Sequence, residues 1–177
     1  MTSERGGSAV FFDRDGTLME DVDYCGDPRD VRVFAGAGEA LRRLKSAGFR
    51  LIVVTNQSGI GRGYFTEETY RAVDAELRRQ LGADLIDASY HCPHLPDDGC
   101  ACRKPSPQLV INAAREHRLD LTRSFLVGDK SSDVECGRAA GVRTILVTTG
   151  YGRTEPCKAD WTAEDLKTAA DIILANG

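Results

Sequence analysis

Apolar residues along this chain fall into two kinds of run that alternate. Val10-Phe11-Phe12, Leu51-Ile52-Val53-Val54, Phe125-Leu126-Val127 and Thr144-Ile145-Leu146-Val147 are short blocks without polar interruption, which predicts strands buried on both faces. Ile86 to His91 reads as a further strand. Between the blocks, apolar residues recur three or four apart instead. Ala40, Leu41, Leu44 and Ala47 mark a helix over 36–47 that Gly48 closes. Thr66, followed by Glu67 and Glu68, is an N-cap for a helix whose stripe is Tyr70, Val73, Leu77 and Leu81, ending at Gly82. Leu109, Val110 and Ala113 face inward from a helix over 107–118, and helices are also predicted over 131–140 and 163–175. Residues 18–33 and 92–105 lack either period and read as loops, and Gly59-Ile60-Gly61-Arg62-Gly63 as a flexible link.

Strand and helix in turn imply parallel strands joined by right-handed crossovers, hence an α/β fold: a three-layer, doubly wound, mostly parallel sheet. The spaces between strands hold about one helix each, too little for a separate cap domain. No repeat or linker divides the chain, so residues 1–177 are expected to form one domain, with residues 92–105 as a loop on it.

The polar residues that end the strands change this picture. An apolar strand stops at Asp13-Arg14-Asp15-Gly16-Thr17, another at Thr55-Asn56-Gln57-Ser58, a third at Gly128-Asp129-Lys130. In a doubly wound sheet the carboxyl ends of the strands face the ligand crevice. Asp13 and Asp15 would put side-chain or backbone oxygens into one small polar space. Close carboxylates repel, and a hard oxygen-ligand cation such as Mg²⁺ relieves that repulsion. Taken singly, each of these is an ordinary turn or cap; three strand ends delivering polar groups to one sheet edge are better read as a site. A second constellation is Cys92-x-His94-x₅-Cys100-x-Cys102, three sulfurs and an imidazole within one loop. That closed set suits tetrahedral structural Zn²⁺ and leaves no ligand position for water.

Composition narrows the class. The chain has 177 residues, 41% hydrophobic and 28% charged, the profile of a globular domain able to bury a sizeable core. Its formal net charge of -4 argues against general affinity for nucleic acid or anionic membrane, while leaving room for a local basic pocket. Met1 to Ser8 is polar, and no 18 apolar residues run together, so a cytoplasmic protein without membrane contact is expected. In that compartment Cys25, Cys136 and Cys157 are expected to be free thiols.

Asp13-x-Asp15-Gly16-Thr17 behind an apolar strand resembles the first motif of the haloacid dehalogenase superfamily of phosphatases. Thr55-Asn56, Lys104 in Arg103-Lys104-Pro105, and Gly128-Asp129-Lys130 with Asp133 resemble the remaining motifs, in the same order. The resemblance implies a Rossmann-like fold and a Mg²⁺-dependent phosphatase. In it Asp13 would be the nucleophile that forms an aspartyl-phosphate, and Asp15 the acid and base. Thr55 and Lys104 would stabilise the transferring group. Asp13, Asp15 and Asp129 would hold the metal, with Asp133 in support. Within the superfamily the chain is similar to the heptose bisphosphate phosphatases, whose substrate contacts would fall on Asp21, Val22, Asp23, Tyr24, Asn56, Gln57, Ser58, Arg103 and Lys130. That implies a small sugar bisphosphate, D-glycero-D-manno-heptose 1,7-bisphosphate, as substrate of a monomeric enzyme. Cys92-Pro93-His94-Leu95-Pro96 instead resembles the histidinol-phosphate phosphatases, the alternative reading, and both groups carry a zinc loop of this kind. Arg103 and Lys130 favour the bisphosphate, since basic residues would repel the cationic end of histidinol phosphate. A receiver-type phospho-acceptor or a silent phosphate-binding protein would not call for Arg103-Lys104 behind a metal loop together with both aspartates.

Overall fold

A computed structural model describes residues 6–155 and 157–177; most of the polar stretch from Met1 to Ser8 lies outside them. Six strands, β1 (Ala9–Phe12), β2 (Arg50–Asn56), β3 (Ala88–Cys92), β4 (Phe125–Gly128), β5 (Arg143–Val147) and β6 (Trp161–Ala163), form one parallel sheet in the order β3-β2-β1-β4-β5-β6. Six helices accompany them: α1 (Ala37–Ser46), α2 (Ser58–Gly61), α3 (Glu67–Leu81), α4 (Gln108–His117), α5 (Ser131–Ala140) and α6 (Leu166–Asn176).

The unbroken apolar runs are explained by what covers each face. Val10 and Phe12 of β1, with Leu51 and Val53 of β2, pack on Leu41 and Leu44 of α1, Val73 and Leu77 of α3, and Ile173 of α6. Ala9, Phe11, Ile52 and Val54 point the other way, against Leu109, Val110 and Ala113 of α4 and Cys136 of α5. Successive residues of a strand serve opposite layers, so no position in β1 can be polar. Each buried Phe or Leu contributes roughly 1.5–3 kcal/mol relative to an exposed one.

The chain runs β1, β2, β3 to one side, then returns to lay β4, β5 and β6 on the other. The order therefore reverses between β1 and β4, and at such a point the loops leaving the carboxyl ends part to open a crevice. Asp13 follows β1 and Asp129 follows β4, one on each side of it. The Asp13 amide donates to the Val127 carbonyl at 3.0 Å, which fixes the turn at the mouth of that gap.

Local differences from the sequence expectation have physical causes. β6 is three residues long, too short for alternation to register, and is anchored by Asp160, whose carboxylate accepts from the Thr144 amide and hydroxyl at 2.7 and 2.9 Å. The last helix accordingly starts at Leu166, capped by the Asp165 side chain, rather than at Ala163. The glycine-rich link after β2 is not loose. It winds into α2 and packs, because a side chain at Gly59 would collide with the Phe65 ring and the Gly61 amide bonds to the Pro93 carbonyl at 3.0 Å. β3 lies two residues later than expected at its start and runs into Cys92 itself.

Candidate active site

Asp13, buried at the floor of the crevice, shares one cation with Asp133. The Lys104 ammonium donates to Asp13 Oδ1 at 2.8 Å, to Asp133 Oδ1 at 2.7 Å and to the Val54 carbonyl at 2.8 Å, so all three of its protons are used. Burial by itself would raise the Asp13 proton affinity, but Lys104 and Lys130 outweigh it and hold the carboxyl below its usual range. Lys104 itself is held above the usual lysine range: desolvation opposes its charge, and Asp13 and Asp133 more than restore it. A solvated surface lysine, the plain reading of this residue, is excluded by its 4% exposure.

One carboxylate oxygen from each of Asp13, Asp129 and Asp133 lies within 4.8 Å of the others. Asp129 is pushed up to about 7, first by burial and then by Asp13, against the opposing pull of the Tyr151 amide. Thr17 Oγ1 donates to its Oδ1 at 3.3 Å and the Tyr151 N–H to its Oδ2 at 2.9 Å. Gly16, in left-handed backbone at φ 83°, and Gly150 press directly on this carboxylate, where a side chain at either would overlap it. A fixed, buried carboxylate beside two more carboxylates suits a divalent oxygen-seeking cation. Asp133 stands one step back: it takes Lys104 on one oxygen and the Lys130 amide, at 3.1 Å, on the other.

The sequence leaves open whether Asp15 offers a side-chain or a backbone oxygen to the site. Its carboxylate turns away from the acidic trio to the buried guanidinium of Arg14, with Nε to Oδ2 at 3.1 Å and NH2 to Oδ1 at 3.0 Å. Gln57 Nε2 donates to Asp15 Oδ2 at 2.8 Å and to Thr55 Oγ1 at 2.9 Å. The Gln57 side chain thereby holds Asp15 while Gln57 also lines the cleft. Asn56 is committed too: its amide forms a two-way pair with the Lys104 backbone, at 3.1 and 3.0 Å, and so sets the height of the lysine. Thr55, 1% exposed, lies under the cleft with its hydroxyl proton still to give.

Above this floor opens a cavity of about 290 Å³. Asp15, Asp21, Asp23, Tyr24, Asn56, Gln57, Ser58, Arg103 and Lys130 line it, as expected from the sequence, together with Gly59, Ser132 and Tyr151, which no sequence pattern marks. Val22 is not part of the lining and is exposed. Asp23 and Tyr24 sit in left-handed backbone, at φ 50° and 58°, a rare conformation for such residues that turns the loop sharply at the rim. Lys130 lies 3.5 Å from Asp21 and 4.8 Å from the centre of the Tyr151 ring. Arg103 NH1 donates to the His94 carbonyl at 3.3 Å, which ties it to the cysteine loop.

In that loop Cys92 Sγ is 3.6 Å from Cys100 Sγ, Cys102 Sγ is 3.8 Å from Cys100 Sγ, and His94 Nδ1 is 3.3 Å from Cys102 Sγ. Sulfurs about 2.3 Å from a tetrahedral zinc sit about 3.8 Å apart, so two of these edges already have the right length. Cys102 and Cys92 stand closer, at 3.0 Å. Burial, and then the neighbouring Cys102 and Cys100 sulfurs, push the Cys92 thiol up to about 12. Partial desolvation at Cys100 is overcome by the Arg103 amide and its neighbours, which bring it down to about 7.

Family models match both halves of the chain: a haloacid dehalogenase-like hydrolase model over residues 10–94 and a HAD-hydrolase-like model over residues 101–171. Among curated proteins, the D-glycero-beta-D-manno-heptose-1,7-bisphosphate 7-phosphatase of Helicobacter pylori is 41% identical over 93% of this chain and 96% of its own length. A D-glycero-alpha-D-manno-heptose-1,7-bisphosphate 7-phosphatase of Photorhabdus laumondii is 36% identical over 93% of this chain and 95% of its own. The crystal structure of the D,D-heptose 1,7-bisphosphate phosphatase from B. bronchiseptica, complexed with magnesium and phosphate, superposes with a TM-score of 0.89 at 35% identity, covering 96% of this chain and 99% of that one. With this fold, these motifs at the sheet edge and relatives that match along almost their whole length, the chain belongs to the haloacid dehalogenase-like hydrolases and is a phosphatase, a phosphoric monoester hydrolase.

Proposed function

We propose that this enzyme removes one phosphate from a sugar bisphosphate, D-glycero-D-manno-heptose 1,7-bisphosphate, through an aspartyl-phosphate on Asp13. The observation that carries the reading is the cleft itself, in which a buried carboxylate bonded to Lys104 lies beneath two further cations, Arg103 and Lys130. One phosphate is to react; the other needs a place to sit. The names of the relatives support the same substrate.

On this reading Asp13 attacks phosphorus in line with the sugar oxygen, the P–O bond to the sugar breaks, and Asp15 gives the departing oxygen its proton. Asp15 then takes a proton from the water that opens the aspartyl-phosphate, which returns Asp13 and releases phosphate. Asp13 and Asp129, with the backbone carbonyl of Asp15 since its side chain is engaged elsewhere, would hold Mg²⁺. That ion would neutralise charge on the transferring group and keep Asp13 ionised. Lys104 supplies a fixed positive charge, and the Thr55 hydroxyl a fixed donor, where charge spreads over the phosphoryl oxygens. Ser58, Asp21, Asp23 and Tyr24 shape the rim around the sugar, and Arg103 and Lys130 take the second phosphate. Cys92, His94, Cys100 and Cys102 would hold Zn²⁺ as a brace for Arg103 and Lys104. We read residues 1–177 as one phosphatase domain, acting as a monomer on a cytoplasmic metabolite.

The test is Arg103→Ala, assayed with the heptose bisphosphate and with p-nitrophenyl phosphate. A charge-assisted hydrogen bond contributes roughly 1.5–3 kcal/mol, so kcat/KM should fall about ten- to a hundredfold on the bisphosphate and much less on the aryl ester. Equal losses on both would mean that Arg103 serves the reacting phosphate or the loop, and would remove the argument for a second phosphate site.

A further inference from the structure

Arg14 is the largest fully buried side chain among the described residues, and nothing in the phosphoryl-transfer scheme above uses it. It sits between Asp13 and Asp15 in sequence, and its guanidinium is aimed back into the core beneath the cleft. Its Nε and NH2 grip both oxygens of Asp15, and NH2 also donates to Gln57 Oε1 at 3.1 Å. The guanidinium carbon lies 5.9 Å from the centre of the Tyr70 ring, and NH1 has no partner among the described residues.

A charge buried with one donor unsatisfied is a poor device for stability, since apolar replacements of buried ion pairs are often neutral or stabilising. It is a good device for direction. A planar fork fixes both the position and the rotation of the carboxylate it grips, which a point charge does not. Gln57 completes the grip by donating to Asp15 Oδ2 while accepting from Arg14, so each of the three groups is bonded to the other two.

The count of lone pairs then becomes informative. An ionised carboxylate offers about four acceptor sites. Oδ2 of Asp15 accepts from Arg14 Nε and from Gln57 Nε2, and is full; Oδ1 accepts from Arg14 NH2 alone. Asp15 lines the cleft, so the one open site in the group belongs to Oδ1.

We propose that Arg14 and Gln57 are positioning residues that clamp Asp15 and make its Oδ1 the oxygen that hands a proton to the leaving group and takes one from water. The proposal rests on the assignment of Asp15 as acid and base. The proton leaves Oδ1 for the sugar oxygen as the P–O bond breaks, and is replaced from the attacking water in the second step, so the cycle closes without any other donor.

Leaving groups separate this role from a merely structural one. Phosphoryl transfer to Asp13 with loss of the alcohol is the step that kcat/KM reports. An alkoxide needs a proton to depart, whereas p-nitrophenolate does not. Arg14→Met, Arg14→Lys and Gln57→Leu should therefore be compared with Asp15→Asn on the sugar bisphosphate and on p-nitrophenyl phosphate, with melting temperatures measured alongside. General acid help is worth roughly 10²–10⁴-fold, so Asp15→Asn should lose at least about a hundredfold more on the sugar than on the aryl ester. Arg14→Met and Gln57→Leu should show the same selectivity at about tenfold or more, with Arg14→Lys in between. If Arg14→Met does not fold, Arg14→Lys and Gln57→Leu carry the comparison. Should Asp15→Asn show the selectivity while the Arg14 and Gln57 variants lose equally on both substrates, or not at all, the clamp is wrong and the role of Asp15 stands. Should Asp15→Asn itself show no selectivity, the role of Asp15 falls, and the clamp with it.

Discussion

At the scale of single residues, Lys104 and Asp129 divide the electrostatics of the cleft between them. Lys104 holds Asp13 ionised, as the proposed nucleophile requires, with all three of its own protons engaged. Asp129 is not bonded to Lys104, and burial together with Asp13 raises its proton affinity. Asp13→Asn should keep the shape of the floor and remove the nucleophile. We expect a loss of turnover of about 10³-fold or more with an unchanged far-ultraviolet circular dichroism spectrum; turnover above about a tenth of wild type would rule out covalent catalysis by Asp13. Asp129 makes a second prediction. Its carboxyl, ordinarily near 3.8, is raised to about 7 in the folded chain. A group raised in this way stabilises the fold fully below pH 4, and that contribution is lost as pH rises through 7. Asp13, shifted downward, contributes in the opposite sense, but its change is complete at lower pH. Metal-free protein should thus melt at progressively lower temperature between pH 5 and pH 8, Asp129→Asn should flatten that slope, and Mg²⁺ should help more at pH 8 than at pH 5. A slope that survives in Asp129→Asn would place its origin elsewhere.

At the scale of elements, the cysteine loop that leaves the end of β3 and leads to α4 is an irregular part of the site. It reaches the floor through Asn56, which pairs with the Lys104 backbone, and the rim through Arg103, bonded to the His94 carbonyl. If the loop takes zinc, its order rather than its chemistry depends on the metal. Cys100→Ser should then release about one zinc per chain, lower the melting temperature, and raise KM more than it lowers kcat. Metal analysis of purified protein that finds no zinc would discard this brace. The same elements indicate how far the sequence was readable. Asp13, Thr55 and Asp129 could be placed because a parallel sheet turns every strand end toward one edge, and the four loop ligands because their residue types have little other reason to cluster. Tyr151 and Ser132 follow the same rule, after β5 and within the first turn of α5, but no apolar or acidic pattern marks them out. The roles of Asn56, Gln57 and the Asp15 side chain were not legible, because which way a polar side chain turns depends on partners about forty residues away. Arg14 was missed for a related reason: in sequence it is a charge between charges, and only the packed core shows it buried. β6 escaped because three residues on a sheet edge need no apolar run.

At the scale of the whole molecule, one sheet edge gathers an acidic floor and a basic rim, although the chain as a whole carries a formal charge of -4. Local placement, not overall balance, decides what the cleft attracts. None of the described helices is long and apolar enough to cross a membrane. Every strand end except that of β6 supplies a residue to the cleft or to the loop beside it: Asp13, Thr55, Cys92, Asp129 and, just past β5, Tyr151. On the proposed reading substrate choice falls to the residues at the rim, and the cations among them, Arg103 and Lys130, set the central claim. Its most direct test is a comparison of wild-type kcat/KM, with Mg²⁺ present, for D-glycero-D-manno-heptose 1,7-bisphosphate and for histidinol phosphate, with the product of the first reaction identified. The account predicts a clear preference for the bisphosphate, by about ten- to a hundredfold if Arg103 contributes one charge-assisted contact, and release of a single phosphate. A higher kcat/KM on histidinol phosphate would contradict it.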